Sequence, residues 1–190
     1  MPSLDLIIVT TGGGFDFDDV APLLVQSIGD MTRPLPANPD GTAQLQAAVR
    51  EVAQPPAPAA VAPLPATARA ISGKTFVFAP NPVGLASARL DFDGSATAVM
   101  SLAFDGDAQI HTWPVGLDGV YRMSGGAYSA PQGVRGYWAD DRTFAFEYAG
   151  IANNDHWTYR MRFEGDRVLM LGQETAHELG VKFEGRLRKP

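Results

Sequence analysis

The chain has 190 residues, of which 45% are hydrophobic and 19% charged, as expected for one modest globular domain with an additional segment. Its net charge of −6 leaves no basic surface that could neutralise many phosphates, so nucleic acid is excluded as an expected partner. The absence of cysteine excludes disulfides, thiolate zinc sites and cysteine nucleophiles. No apolar run reaches the ~18 residues that span a bilayer, and no basic leader precedes the first apolar run.

The first third of the chain predicts one strand and two helices. Residues 4–11 form a continuous apolar run, typical of a strand buried on both faces. Apolar residues at helical spacing predict a helix over about 18–30 and a second over about 42–52. One strand and two helices cannot form a core, so we expect them to pack on something else.

A proline- and alanine-rich segment follows over residues 53–70. It contains five prolines and a single charge, Arg69, which favours extended chain over a packed core. We interpret this segment as a linker, strapped along a surface or free. The alternative is an irregular loop within one domain, although loops of this length are uncommon in compact domains.

From residue 72 onwards the pattern has period two, which is typical of β-strands. The clearest example is residues 157–163, where Trp, Tyr, Met and Phe alternate with Thr and Arg. Asp-Gly and Glu-Gly turn signals separate the runs at short intervals. The sequence therefore predicts nine or ten antiparallel strands in up-and-down order, forming a small lipocalin-like β-barrel or a tightly coiled sandwich.

Motif searches yield no catalytic, metal or cofactor site. His111, His156 and His177 are too far apart for a helical ligand pair, and HExxH, GxSxG and SxxK are absent. The glycine cluster at 10–14 lacks the ending of a phosphate-binding loop, and residues 16–19 lack the remaining ligands of a calcium loop. We therefore expect no enzyme activity, cofactor or metal in this chain.

Aromatic side chains on the predicted strands are the candidates for a ligand site at the mouth of the barrel. The alternative is that these period-two aromatic residues are simply the core. The candidate ligand-binding residues are His111, Trp113, Phe144, Phe146, Trp157 and Tyr159.

Several segments together resemble the C-terminal region of serine hydrolases of the β-lactamase and penicillin-binding-protein superfamily. They are PSLDLIIVTTGGG (2–14), PLPANPDGTAQLQAAV (34–49), ISGKTFVF (71–78), LDFDG (90–94), WPVGLDGVYRMS (113–124) and FEGDRV (163–168). The resemblance implies three parts: the last strand and closing helix of a catalytic domain in residues 1–33, a helix and linker in 34–70, and an appended antiparallel β-barrel in 71–190. Intact relatives would be expected to be periplasmic or exported.

The catalytic SxxK, tyrosine and KTG motifs of that superfamily are missing here, so the resemblance assigns no catalytic residue. It implies a noncatalytic accessory barrel that acts in stability, assembly or access to the active site of a neighbouring hydrolase domain. The alternative function is a lipocalin-like barrel that binds a small apolar ligand, for which a cavity of ~300 Å³ or more would argue. Residual hydrolysis, a third hypothesis, has no nucleophile in the sequence. The apolar run within residues 4–30 also predicts a homodimer or packing on the barrel.

Overall fold

A computed structural model describes residues 7–9, 16–28, 37–54, 56–125, 131–151, 155–175 and 179–189. The chain separates into two units, Met1–Pro56 and Ala57–Pro190. The three-part division expected from the sequence stays a prediction.

The first unit contains both predicted helices, α1 (Phe17–Ile28) and α2 (Pro39–Val52). Asp18 and Asp19 lie in the first turn of α1, where carboxylates interact favourably with the helix dipole. The Asn38 side chain caps α2 by accepting a hydrogen bond from the Gly41 N–H at 2.9 Å. Neither helix has a fully buried residue, and the apolar side chains of Leu23, Val25, Leu45 and Val49 are exposed.

The strand predicted over residues 4–11 lies largely outside the described residues. Its described part, residues 7–9, is not in a strand, and Ile7 and Val9 are 86% and 80% exposed. The predicted contact of residues 4–30 with a second copy stays a prediction that light scattering would test.

The second unit begins with an extended segment and a short helix, α3 (Ala66–Ile71). The Ala59 N–H donates to the Asp118 carbonyl oxygen at 2.8 Å, and Arg69 Nη1 donates to the Leu64 carbonyl oxygen at 2.7 Å. The helix occupies the last part of the predicted linker, and its residues Ala68 and Ile71 are buried. The period-two and turn signals used for the barrel did not predict this helix.

The described residues of this unit form ten strands. They are β1 (Thr75–Phe78), β2 (Leu85–Asp91), β3 (Thr97–Phe104), β4 (Ile110–Gly116), β5 (Arg122–Gly125), β6 (Pro131–Asp140), β7 (Thr143–Gly150), β8 (Asp155–Glu164), β9 (Arg167–Glu174) and β10 (Gly180–Leu187). Consecutive strands pair antiparallel except for β4 with β5, and β10 returns to pair with β1. The predicted mainly β, up-and-down, lipocalin-like barrel is therefore confirmed.

The sheet closes at a seam between β4 and β6, which we define by its single parallel backbone pair, Gly116 with Arg135. The short β5 pairs with the first part of β6. Strand β4 pairs with the same edge of β6 at a later position. Nine strands thus form the ring and β5 fills the gap beside β4. Side chains reinforce this closure, because Arg122 donates to both Asp118 (2.7 Å) and Thr97 (3.0 Å).

The alternating pattern of the strands directs one set of side chains into the barrel. At the end where α3 lies, which we call the packed end, Ile71 joins aromatic rings in a filled core. These rings are Phe76, Phe92, Trp138, Phe144 and Phe163. The opposite end, reached by the last residues of β1, β3, β7 and β9, is here called the cavity end.

Candidate functional site

A cavity of about 120 Å³ lies inside the cavity end of the barrel. Four of its rings come from β7 and β8, namely Phe146, Tyr148, Trp157 and Tyr159. Three more come from other parts of the barrel, namely Phe104, Trp113 and Phe183. The remaining wall is made by Val83, Leu85, Leu102 and Met170. Every side chain around the cavity is therefore apolar or aromatic.

Strand register brings the rings of β7 and β8 side by side. Phe146 is paired with Tyr159, and Tyr148 with Trp157, so all four side chains point inward. The Phe146 and Tyr159 rings stack at 5.0 Å and 19°, and the Tyr159 and Trp157 rings stack at 5.3 Å and 11°. Stacked rings of this kind lie against one another and form a continuous aromatic wall, which suits an apolar occupant.

Gly172 on β9 makes room for this stack. A Cβ atom at Gly172 would lie 2.5 Å from Cε1 of Tyr159 and 2.7 Å from Cγ2 of Val181. The Tyr159 ring can take its position because this side chain is missing. Glycine here shapes the wall of the cavity.

The cavity offers polar atoms only from neutral groups. Burial raises the pKa of Tyr159, and burial also raises the pKa of Tyr148, so both hydroxyls stay protonated in the physiological range. The indoles of Trp113 and Trp157 add N–H donors. The site can therefore offer hydrogen bonds from neutral groups to an otherwise apolar occupant.

The structure brings together four of the six predicted site residues. Trp113, Phe146, Trp157 and Tyr159 surround the cavity. Phe144 does not reach it, because it is fully buried at the packed end against Phe92 and Trp138.

His111 also lies outside the cavity wall. Its Nε2 is 2.7 Å from Asp107 Oδ2, and its ring meets the edge of Phe104 at 5.7 Å. The histidine therefore supports a cavity residue from behind.

Sequence reasoning missed seven residues of the wall. Tyr148 and Met170 continue inward-facing alternations that include Phe146 and Val168, so their placement was available from the period-two pattern. Val83 lies in a turn, outside the period-two pattern. Phe183 is paired with Met170 of the neighbouring strand, and no local sequence pattern indicates that pairing.

A polar cluster covers the outer side of the seam. Glu147 Oε2 accepts from the Tyr121 hydroxyl at 2.7 Å and from Arg135 Nη2 at 2.8 Å, and Arg135 lies 4.5 Å over the Tyr121 ring. Burial raises the pKa of Glu147, but hydrogen bonds from Tyr121 and Arg135 outweigh burial and hold the pKa below its ordinary value. Burial, together with Glu147, raises the pKa of Tyr121 to about 12. Arg135 Nη1 also donates to the Gly119 carbonyl oxygen at 3.1 Å, so the cluster holds the β4–β5 connection against β6 and β7 beside the seam.

Two classes of feature are absent from the described part of the chain. No three His, Asp or Glu side chains there are grouped so as to hold a metal ion. Among the same residues, no helix is long and apolar enough to cross a membrane.

The comparisons with known proteins concern the fold alone. No family model and no curated protein matches the chain. The chain is similar to secretory abundant heat soluble protein 4 from Ramazzottius varieornatus, at 8% identity and TM-score 0.46, over 54% of this chain and 69% of that one. It is similar to As-p18, an extracellular fatty acid binding protein, at 14% identity and TM-score 0.48, over 67% and 100%. It is also similar to the fatty-acid-binding protein of Manduca sexta, at 11% identity and TM-score 0.45, over 61% and 98%.

The expected membership of the β-lactamase and penicillin-binding-protein superfamily is wrong. The three solved structures named above are a heat-soluble protein and two fatty-acid-binding proteins, and no family model, of a hydrolase or otherwise, matches the chain. Two of the segments that suggested a hydrolase contain ordinary turns between strands. LDFDG runs from the end of β2 into the following turn, where Gly94 has a φ of 86°, and FEGDRV is the β8–β9 hairpin with Gly165 at a φ of 63°, as in any antiparallel barrel. The hydrolase parent and the accessory role that depended on it are withdrawn.

Proposed function

We propose that the protein binds a small apolar ligand in the aromatic cavity of its barrel. The observation that carries this proposal is the contrast within one sheet: the packed end is filled by its own side chains, whereas seven rings surround an unfilled space at the cavity end. Unfilled apolar space is costly in a protein interior, so a retained cavity with a purely apolar wall suits an apolar occupant.

The size of the cavity limits the occupant. At about 120 Å³ it is smaller than the ~300 Å³ expected of a typical ligand-binding barrel. An apolar cavity of ~150 Å³ nevertheless suffices for a benzene-sized molecule. Trp113, Tyr148 and Trp157 are only partly buried, so the space opens toward solvent. We infer that the occupant is a small molecule, or that one end of a longer chain enters.

Titration calorimetry with short alcohols and small aromatic compounds tests the proposal, with the emission of the three tryptophans as a second signal. We expect Leu102→Phe to weaken binding at least about tenfold, because Leu102 faces the cavity and the larger ring fills it. The matched control is Val99→Phe, on the same strand and 38% exposed, which should bind like the unaltered protein. Failure of every compound to bind, or equal binding by both variants, would contradict the proposal.

A further inference from the structure

The cavity end of the barrel carries no lysine or arginine in any of its five strand connections. These connections join each odd-numbered strand to the next strand and comprise residues 79–84, 105–109, 126–130, 151–154 and 175–179. The whole of 126–130 and parts of two others, 152–154 and 176–178, lie outside the described residues, but their sequences contain neither basic residue. No placement of these segments could therefore bring a permanent cation to the mouth.

Basic side chains on the strands near the cavity point away from it. Arg160 alternates with Tyr159 and Met161, and Lys182 with Val181 and Phe183, so both lie on the outer wall. The basic residues of the hairpins at the packed end, such as Arg142 and Arg167, are a barrel length away.

The strand ends and connections at the cavity end carry acidic side chains instead. Asp105 follows Phe104 of the cavity wall, and its N–H donates to the Gly84 carbonyl oxygen at 2.7 Å. Asp107 lies two residues further along, and Asp155 begins β8. Glu174 is 1% exposed and is paired with Trp157 of the cavity wall. A carboxyl group at any of these positions cannot supply the positive charge that a bound anion needs.

We propose that the cavity takes uncharged ligands and excludes carboxylates, an inference that rests on the proposed function. A buried carboxylate needs a cation or several hydrogen-bond donors, and the described wall offers only the neutral Tyr148 and Tyr159 hydroxyls and two indoles. A carboxylate left at the mouth would instead lie among Asp105, Asp107 and Asp155. A ligand with an uncharged polar end avoids both the cost of burying a charge and the repulsion by these carboxylates.

Matched eight-carbon probes test this selectivity in the full chain. At about pH 8 we expect 1-octanol to bind at least about tenfold more tightly than octanoate. Below the pKa of octanoic acid, at about pH 4, the acid is largely uncharged and its affinity should approach that of the alcohol. Octanol at the same two pH values reports any change in the cavity itself when Glu174, Asp105, Asp107, Asp155, His111 or His156 is protonated. Loss of negative charge at the mouth acts on the anion alone, and the charge reversal below tests that effect separately.

A charge reversal at the mouth provides the second test. Asp105→Lys should raise the affinity for octanoate severalfold and leave octanol unchanged. Asp141→Lys makes the same change in net charge in the exposed β6–β7 turn at the packed end, and should alter neither ligand. Equal affinity for octanol and octanoate at about pH 8 would overturn this inference while leaving the proposed function standing. If neither compound binds, the proposed function itself fails.

Discussion

The packed end and the cavity end of the barrel are built from the same strands but differ in how their rings meet. At the packed end, Phe92 meets Phe144 edge to face at 79°, and Trp138 tilts against Phe144 at 54°. At the cavity end, Phe146, Tyr159 and Trp157 lie nearly parallel. The tilted rings named here belong to the filled core, whereas the stacked rings form one wall of the cavity.

The difference divides one sheet into a filled region and an unfilled region. Helix α3 buries Ala68 and Ile71, so the packed end has apolar contacts from the helix in addition to those between its strands. The described residues at the cavity end include no such helix. We therefore expect the packed end to supply most of the folding free energy and the cavity end to tolerate change.

Truncating one ring at each end tests this division most severely. Phe144→Ala should lower the free energy of unfolding by about 3–5 kcal/mol, because it leaves a void among fully packed neighbours. Phe104→Ala, beside an existing cavity and only half-buried, should cost about 1–2 kcal/mol. Urea unfolding followed by tryptophan emission measures both. Equal losses would show that the two ends are equally packed.

Adding one methyl group at the cavity wall should have a smaller effect on stability and a clear effect on binding. Gly172→Ala places Cβ against Tyr159, so we expect a loss of about 1–2 kcal/mol in stability and weaker binding as the ring moves into the cavity. Gly180→Ala on the adjacent strand is the control, since its Cβ would meet no atom closer than 3.5 Å. If calorimetry finds binding by Gly172→Ala unchanged, the stack does not shape the site.

The polar cluster at the seam should contribute least, and only above acidic pH. Glu147 has a lowered pKa in the folded protein, so its contribution is complete above the ordinary value of 4.5 and is lost as the pH falls through the folded value. Glu147→Gln should therefore cost about 1 kcal/mol at neutral pH, with a difference from the unaltered protein that shrinks in acid.

The control for the seam is the exposed pair of Arg162 and Glu164, whose side chains are 56% and 57% exposed. Glu164→Gln should change stability by less than about 0.5 kcal/mol at any pH. If Glu147→Gln lowered the free energy of unfolding by the same amount at every pH, the packing of this side chain, and not its charge, would stabilise the seam.

The barrel was predictable because its signals are local. Alternation over residues 157–163 and glycines at positive φ, such as Gly94 and Gly165, appear in the sequence where the strands and turns occur. The family was not predictable from those signals, since turn motifs recur wherever antiparallel strands are joined. Helix α3 was missed because its few apolar residues are stabilised by the barrel end and not by helical periodicity.

The site was predictable only in part, because alternation indicates which residues face inward but not which end they reach. Phe144 and Phe146 are two residues apart on one face of β7, yet the first is core and the second faces the cavity. Depth in the barrel depends on the register of neighbouring strands, and that register is set by contacts distant in the chain. Gly172 illustrates the same limit, because its role depends on Tyr159 of another strand.

The seam has a consequence for kinetics that affinity alone would not reveal. Parting β4 from β6 breaks a single backbone pair and side-chain contacts on the outer surface, while the stacked rings of β7 and β8 keep their positions. Arg135 on β6 donates from Nη1 to the Gly119 carbonyl oxygen of the β4–β5 connection at 3.1 Å, so residence time of an occupant could be tuned at Arg135 without altering any residue that touches it. In such a barrel, substitutions on the outer surface of the seam can change the rate of ligand release without changing which ligand the cavity binds.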